Sequence, residues 1–442
     1  MPIDVARVRL WGKDIGAVSW DEARAVAAFE YTPDFQRSGI ELAPLTMPLA
    51  TEVYMFPELA RQSFYGLPGM LADSLPDKFG NLLINEWLDR IGRSRDDFSP
   101  VERLRYVGTR AVGALEYEPA LRMDSEKSVA VDVAELVGLA SAAVAHKERL
   151  QTRFTGEGTS DLGAVRDILR VGTSAGGARA KAVIAWNEAT GEIRSGQAQA
   201  PPGFGYWLLK FDGVSGNRDK EVEDPQGHGL IEYAYYRMAV AAGIEMSESR
   251  ILHENGRNHF VTRRFDRTDN GAKNFMQSLC ALGHYDFNQA GAYSYEQAIG
   301  VAQQIGVTRH EQEQLFRRAV FNLLARNQDD HTKNIAFLMD KEAEWRLAPA
   351  FDMTYSYNPA GAWTSQHQMT LNGKRRGFVI EDFRSAADRF RLLRGKRLDN
   401  LLHEVDAAVA NWPVFAQEAG VPTGQMEEIG RHHRRLDRMP RE

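Results

Sequence analysis

The amino-acid sequence predicts an α+β protein of two lobes: a β-rich N-terminal lobe that includes an extra N-terminal β subdomain, and an all-α C-terminal lobe. Three observations predict it. Short apolar runs separated by Gly-containing turns concentrate before about residue 265. Helical spacing of apolar residues dominates after about residue 285. Between them an Asp- and Asn-rich run, Asn327-Gln-Asp-Asp-His-Thr-Lys-Asn334, breaks a helix and precedes a strand pair. The expected boundaries are 1–123, 124–265 and 266–442.

At the N-terminus, Val8-Arg-Leu-Trp11, Gly12-Lys-Asp14 and Ile15-Gly-Ala-Val18 read as strand, turn and strand, although Val5, Arg7 and Arg9 alternate poorly with their neighbours. Leu71-Ala-Asp-Ser-Leu-Pro-Asp77 leads into a helix carrying Leu82, Leu83, Ile84, Trp87, Leu88 and Ile91 at helical spacing. The polar stretch Met123–Ser128 marks a boundary, and 132–149 reads as helix. A small-residue loop, Arg170–Lys181, then enters the strand Ala182–Trp186, a turn at Asn187–Gly191, and the strand Tyr206–Phe211 with Lys210 in an apolar setting. A helix from about Gly229 to Ala242 stops at Gly243. Strands at Ser249–His253 and His259–Arg263 flank the turn Asn255-Gly256. Thr308-Arg-His-Glu311 has the form of a capping box for a helix with Leu315, Phe316, Ala319, Val320, Leu323 and Leu324 on one face. After the acidic run come a strand at Ile335–Met339, a turn, and a strand ending in Ala350-Phe-Asp-Met353; residues 380–442 read as mainly helical. This is the order of parts a bilobal, protein-kinase-like fold requires.

Composition bounds the function less tightly. Hydrophobic residues make up 43% and charged residues 26%, ordinary for a globular protein. Cys280 is the sole cysteine, which excludes an intrachain disulfide and suits a reducing cytoplasm. The start lacks the apolar run of a signal peptide, and no stretch of about 18 apolar residues would span a membrane. A net charge of −6 argues against generic nucleic-acid binding. Arg431, His432, His433, Arg434, Arg435 and Arg438 do cluster, as a solvated helix end or as a DNA contact.

Phosphoryl transfer needs a phosphate cradle, a lysine, a carboxylate to accept the hydroxyl proton, and oxygen ligands for Mg²⁺. Asp329 and Asn334 have the Asp-x-x-x-x-Asn spacing of a catalytic loop, with Asp329 as proton acceptor and Asn334 as a ligand to Mg²⁺. Asp352, one hairpin later, is the second metal ligand, although the order Phe351-Asp352-Met353 departs from Asp-Phe-Gly. His331 beside Asp329 and Asp330 also raises metal-dependent hydrolysis, for which no second histidine lies at ligand spacing. Gly172, Gly176 and Gly177 allow close approach to an anion or form a flexible linker, and Ser174 within them is a turn residue on this reading. Lys210 either turns outward or points to the phosphates of ATP; Glu232 on the next helix is its candidate partner, ahead of Glu223 and Glu245.

Gly172–Lys181, Trp207-Leu-Leu-Lys210-Phe, Arg263-Arg-Phe-Asp266-Arg, Asn327–Asn334, Ala350-Phe-Asp352 and Leu71–Asp77, in this order over nearly the whole chain, resemble the HipA serine/threonine kinases. The resemblance implies the toxin half of a type II toxin–antitoxin pair, phosphorylating an aminoacyl-tRNA synthetase, stalling translation and favouring persistence. It implies a helix-turn-helix antitoxin (HipB-like) through which the protein touches DNA. By resemblance Ser174 is the autophosphorylated serine whose modification ejects the loop. The ATP site comprises Gly176, Gly177, Ala178, Arg179, Ala180, Lys181, Lys210, Arg263, Arg264, Phe265, His331, Lys333, Asn334, Phe351 and Asp352. Many members have Gln in place of Arg179 and acidic or polar residues near Ala180. The β-rich start favours the two-component form. The competing readings are a catalytically weak kinase-fold binding module acting as co-repressor, which has no need of Lys210, Asp329, Asn334 and Asp352 together, and a small-molecule kinase.

Overall fold

The computed structural model describes residues 4–90, 92–95, 97–121, 128, 130–138, 140–141, 180–214 and 227–440. The chain forms two compact units: one of residues 1–218, 223–225 and 252–277, the other of 219–222, 226–251 and 278–442. The helix expected at about Gly229–Ala242 within the middle domain therefore lies in the second unit, and residues 266–277 lie in the first.

The first unit begins with an antiparallel sheet ordered β3-β2-β1-β4, from β1 (Val5–Leu10), β2 (Lys13–Asp21), β3 (Val26–Tyr31) and β4 (Leu115–Glu118). The alternation in β1 is clean once the inward set is read as Ala6, Val8 and Leu10, all buried. Arg7 and Arg9 face outward and share Glu118, each at 2.8–2.9 Å. Leu10 pairs with Lys13, so the turn is Trp11-Gly12 rather than Gly12–Asp14. Both turn residues have positive φ (49° and 79°), the two-residue geometry whose twist matches the strands.

The second sheet has the order β6-β5-β7-β9-β8, from β5 (Lys181–Trp186), β6 (Ile193–Ser195), β7 (Gly205–Lys210), β8 (Ser249–Glu254) and β9 (Arg257–Arg263). Asn255 and Gly256 form the expected hairpin turn, with φ 44° and 76°. Ala182, Ile184, Trp207, Leu209 and Val261 on this sheet share one core with Leu83, Ile84 and Leu88 of the helix Lys78–Arg90. Asp77 ties the two together. Its Oδ1 accepts from Gly80 N at 2.6 Å at the helix start, and its carboxylate lies 3.1 Å from the Lys181 ammonium, both side chains buried. Where β9 ends, Asp266 accepts from Arg264, Arg267 and the Gly113 N–H at 2.6–2.8 Å. Burial raises the Asp266 carboxyl, but Arg264 and Arg267 outweigh it and hold it well below the usual carboxylate range. The strand β10 (Phe275–Ser278) closes the unit's sequence.

Among its described residues the second unit is helical save for one hairpin and the ends of β8 and β10. Its helices include His228–Ala241, Tyr295–Gln304, Arg309–Leu324, Ile380–Arg389, Lys396–Ala410, Trp412–Ala419 and Thr423–His432. The hairpin is β11 (Ala336–Met339) with β12 (Trp345–Leu347), so this lobe is not purely α. The Thr308/Glu311 capping box forms, and Glu311 Oε1 also accepts from Leu347 N at 3.0 Å. The strand expected to run on to Met353 stops at Leu347. Pro349 lacks the N–H a ladder needs, and Ala350 instead donates its N–H to Glu245 O at 2.8 Å.

Removing Asp77 leaves Lys181 charged and buried without its carboxylate. Asp77→Ala is expected to lower stability by about 3–5 kcal/mol, and Lys181→Met in that background to recover most of it, measured by chemical denaturation. Additive losses would contradict the pairing.

Candidate active site

The acidic run leaves the long helix Arg309–Leu324 through Arg326, whose φ of 59° ends the helical path. Its two adjacent aspartates then part company. Asp330 is buried and takes three donors: Tyr295 O–H at 2.7 Å and His367 Nδ1 at 2.9 Å on Oδ2, and Gln368 N at 2.7 Å on Oδ1. Arg434 Nη1, which can only donate, lies 2.9 Å from His367 Nε2. That contact makes Nε2 the acceptor and assigns His367 as the neutral Nδ1–H tautomer. Burial lowers the His367 pKa, with Arg434 adding to it against the pull of Asp330. For Asp330 burial acts upward, but His367 and the donors around it hold the carboxyl below its ordinary value.

With Asp330 fixed inside, Asp329 turns its carboxylate outward, 43% exposed. Trp363 Nε1 donates to its Oδ1 at 2.6 Å, and Oδ2 receives no hydrogen bond from the described residues. Asn334, five residues on, donates Nδ2 to Asp329 O at 2.8 Å. The spacing read in the sequence is thus a closed ring across the loop, and it leaves the Asn334 amide oxygen without a hydrogen bond from the described residues. His331 Nε2 is 3.8 Å from Asp329 Oδ1, beyond hydrogen-bond reach. Lys333 Nζ lies over the Phe287 ring at 4.9 Å, and the His331 ring is 5.4 Å from the same phenyl.

Phe351 and Asp352 follow the hairpin. Arg318 Nη2 donates to Ala348 O at 2.8 Å, and Ala348 N donates to Ala336 O at 2.9 Å. These bonds and the Ala350–Glu245 bond fix the segment, which Asp352 then turns sharply with φ 52°. His331, Asn334 and Phe351 line one small cavity. The acidic loop and the residue before Asp352 thus meet in the second unit. Asn334 and Asp352 offer an amide oxygen and a carboxylate, hard donors that fit Mg²⁺ completed by substrate phosphates. Among the described residues no group of three His, Cys, Asp or Glu side chains forms a metal cage.

In the first unit, Lys181 and Lys210 stand directly opposite each other on β5 and β7, and so project from the same face. Asp77 compensates Lys181; Lys210 Nζ lies 5.7 Å from the Phe260 ring centroid and is half-buried. Arg263 pairs with Asp269, and Arg264 is committed to Asp266, beside Phe265. Ala180 is buried at the entry to β5. Glu232, on the helix His228–Ala241 of the second unit, is buried, and Glu245 pairs with His310 at 2.9 Å. Gly172, Ser174, Gly176, Gly177, Ala178, Arg179 and Glu223 lie outside the described residues.

The sequence reading missed Asp77, Trp363, His367 and Tyr295. The contact that gives each its role is distant in sequence: Asp77 to Lys181, Trp363 to Asp329, and His367 and Tyr295 to Asp330. The basic C-terminus also differs from a solvated helix end: Arg434 turns inward to Leu323 O and His367, and Arg435 grips Asp406 through two bonds of 2.9 and 2.8 Å.

Residues 6–118 match the family profile described as HipA N-terminal domain, and residues 173–412 that described as HipA-like C-terminal domain. Among solved structures, HipA from Shewanella oneidensis MR-1, in its complex with HipB and operator DNA, aligns over 97% of this chain and 94% of its own, at a TM-score of 0.64 and 18% identity. The Helicobacter pylori proinflammatory kinase CtkA aligns over 53% of this chain and 88% of its own, at 0.33 and 13%, a likeness too small to argue from. No curated protein sequence matches significantly. Among the described residues no helix is long and apolar enough to cross a membrane.

Because the folded Asp330 carboxyl titrates below its unfolded value of about 4, its contribution to stability is complete above that pH and is lost as pH falls. Asp330→Asn is expected to lose at least about 1.5–3 kcal/mol at pH 7. The gap between variant and wild type should narrow below about pH 4 in urea unfolding curves. A gap independent of pH would contradict the assignment.

Proposed function

This chain belongs to the HipA family, and from that premise we propose that it is an ATP- and Mg²⁺-dependent serine/threonine protein kinase. The observation that carries the reading is the division of labour in the acidic loop. Asp330 is consumed by the scaffold, while Asp329 keeps one carboxylate oxygen without a donor. A carboxylate held at one oxygen by Trp363 and open at the other suits a group that orients a substrate hydroxyl and accepts its proton. Asn334 and Asp352 hold Mg²⁺, and Lys210 engages the nucleotide phosphates. Held there, Mg²⁺ would supply neutralisation of the phosphate charge. Arg263, Arg264 and Phe265 border the nucleotide, the Arg263 and Arg264 side chains themselves being held by Asp269 and Asp266.

Further parts of the reading rest on family likeness. The substrate is a protein hydroxyl on an aminoacyl-tRNA synthetase, Ser174 is autophosphorylated and switches the enzyme off, and a HipB-like helix-turn-helix antitoxin neutralises the toxin and links it to operator DNA. The HipA–HipB–DNA complex of the Shewanella relative supports the partner. A protein acting on these targets works in the cytoplasm.

Asp329→Ala is expected to cut γ-phosphate transfer by about 10²–10⁴-fold while nucleotide affinity, measured by calorimetry, stays near wild type. Transfer at the wild-type rate would remove Asp329 from the role. Ser174→Ala is expected to stay active through prolonged incubation with Mg-ATP, during which wild type declines and gains phosphate at Ser174 by mass spectrometry. Equal decline in both would contradict the switch.

A further inference from the structure

We propose that an arginine-lined cavity in the second unit, beside the acidic loop but lined by none of its residues, binds a ligand bearing a phosphate group with two or more negative charges. The cavity has a volume of about 650 Å³. Arg326, Arg376, Arg434, Arg435 and Arg438 line it from three separate stretches of chain. Asp406 neutralises Arg435. Among the described residues the other four guanidiniums have no carboxylate within 4.0 Å.

Their arrangement is built. Arg326 donates to His432 O at 2.7 Å and to Gln328 Oε1 at 3.1 Å, and lies over the Tyr357 ring at 4.4 Å. Arg434 donates to Leu323 O and His367 Nε2, and lies over the Phe378 ring at 5.3 Å. Neutral acceptors and ring faces thus fix the direction of both groups without cancelling their charge. Burial, with repulsion from Arg326, lowers the Arg434 pKa to about 9. The Arg376 and Arg438 side chains stand exposed, with no hydrogen bond or ion pair to described residues.

Converging guanidinium forks in a chain of net charge −6 match the oxygens of a phosphate, and four guanidiniums, of which only Arg434 feels a nearby carboxylate, Asp330 across His367, exceed what one carboxylate on a ligand neutralises. The lining rings Tyr357 and Phe378 already carry a guanidinium on one face, which favours the phosphate end of a ligand over a stacked base. The same chemistry comes from a free polyphosphate or from a phosphoryl group on Ser365, which lines the same cavity.

The test is calorimetric titration of the full chain, phosphatase-treated, with inorganic pyrophosphate in EDTA. Wild type is expected to bind, and Arg376→Ala with Arg438→Ala to bind about tenfold or more weakly at unchanged melting temperature. Both side chains are exposed, so folding is not at stake. If the isolated protein carries phosphate on Ser365 and binds pyrophosphate only after phosphatase, the proposal stands with the chain's own phosphoryl group as occupant. If it binds without such phosphate, a free ligand is the occupant. No binding by treated wild type, or equal binding by the double variant, overturns the proposal. So does arginine-dependent binding of duplex DNA without any of pyrophosphate, which would give the cavity to a polymer backbone.

Discussion

A buried carboxylate with three donors fixes everything around the acidic loop. Asp330 could not be placed inside without them, because an unpaired carboxylate is costly in a low-dielectric interior. The donors arrive from Tyr295, His367 and Gln368, so the loop folds into its shape only when the helix Tyr295–Gln304 and the 363–368 segment have packed against it. Once Asp330 is held, the next residue back must face the other way. Asp329 owes its exposure to its neighbour's burial, and Trp363 then sets its angle.

The same constraint reaches outward. His367 is neutral because Arg434 occupies its second nitrogen, and Arg434 belongs to the arginine cavity. Loop and cavity thus share one hydrogen-bonded chain, Asp330–His367–Arg434. Like networks generally, it is strong only if every member is satisfied. This gives the basic C-terminus a structural task beside any ligand it takes.

Much of the fold was legible in the sequence because its signals are local. Asn255-Gly256 allows only a narrow class of turn, and Thr308 with Glu311 announces a helix start whatever the surroundings. The Asp329–Asn334 spacing was legible for the same reason, since the ring it closes spans five residues. What stayed hidden depends on contacts between distant segments. Nothing near Asp77 announces Lys181, and nothing near Trp363 or His367 announces the acidic loop 34 and 37 residues before them. Two adjacent aspartates look alike until the packing buries one. The Ala350–Met353 stretch read as strand from its apolar start, and Pro349 overruled it by removing a ladder donor.

The central claim is that the open oxygen of Asp329 serves transfer to a protein hydroxyl. Incubating the purified chain with γ-labelled ATP, Mg²⁺ and a cell lysate, then following where the label goes, tests it most directly. The account predicts label on serine or threonine of a discrete protein band. Label found only in inorganic phosphate or in a small metabolite would contradict it.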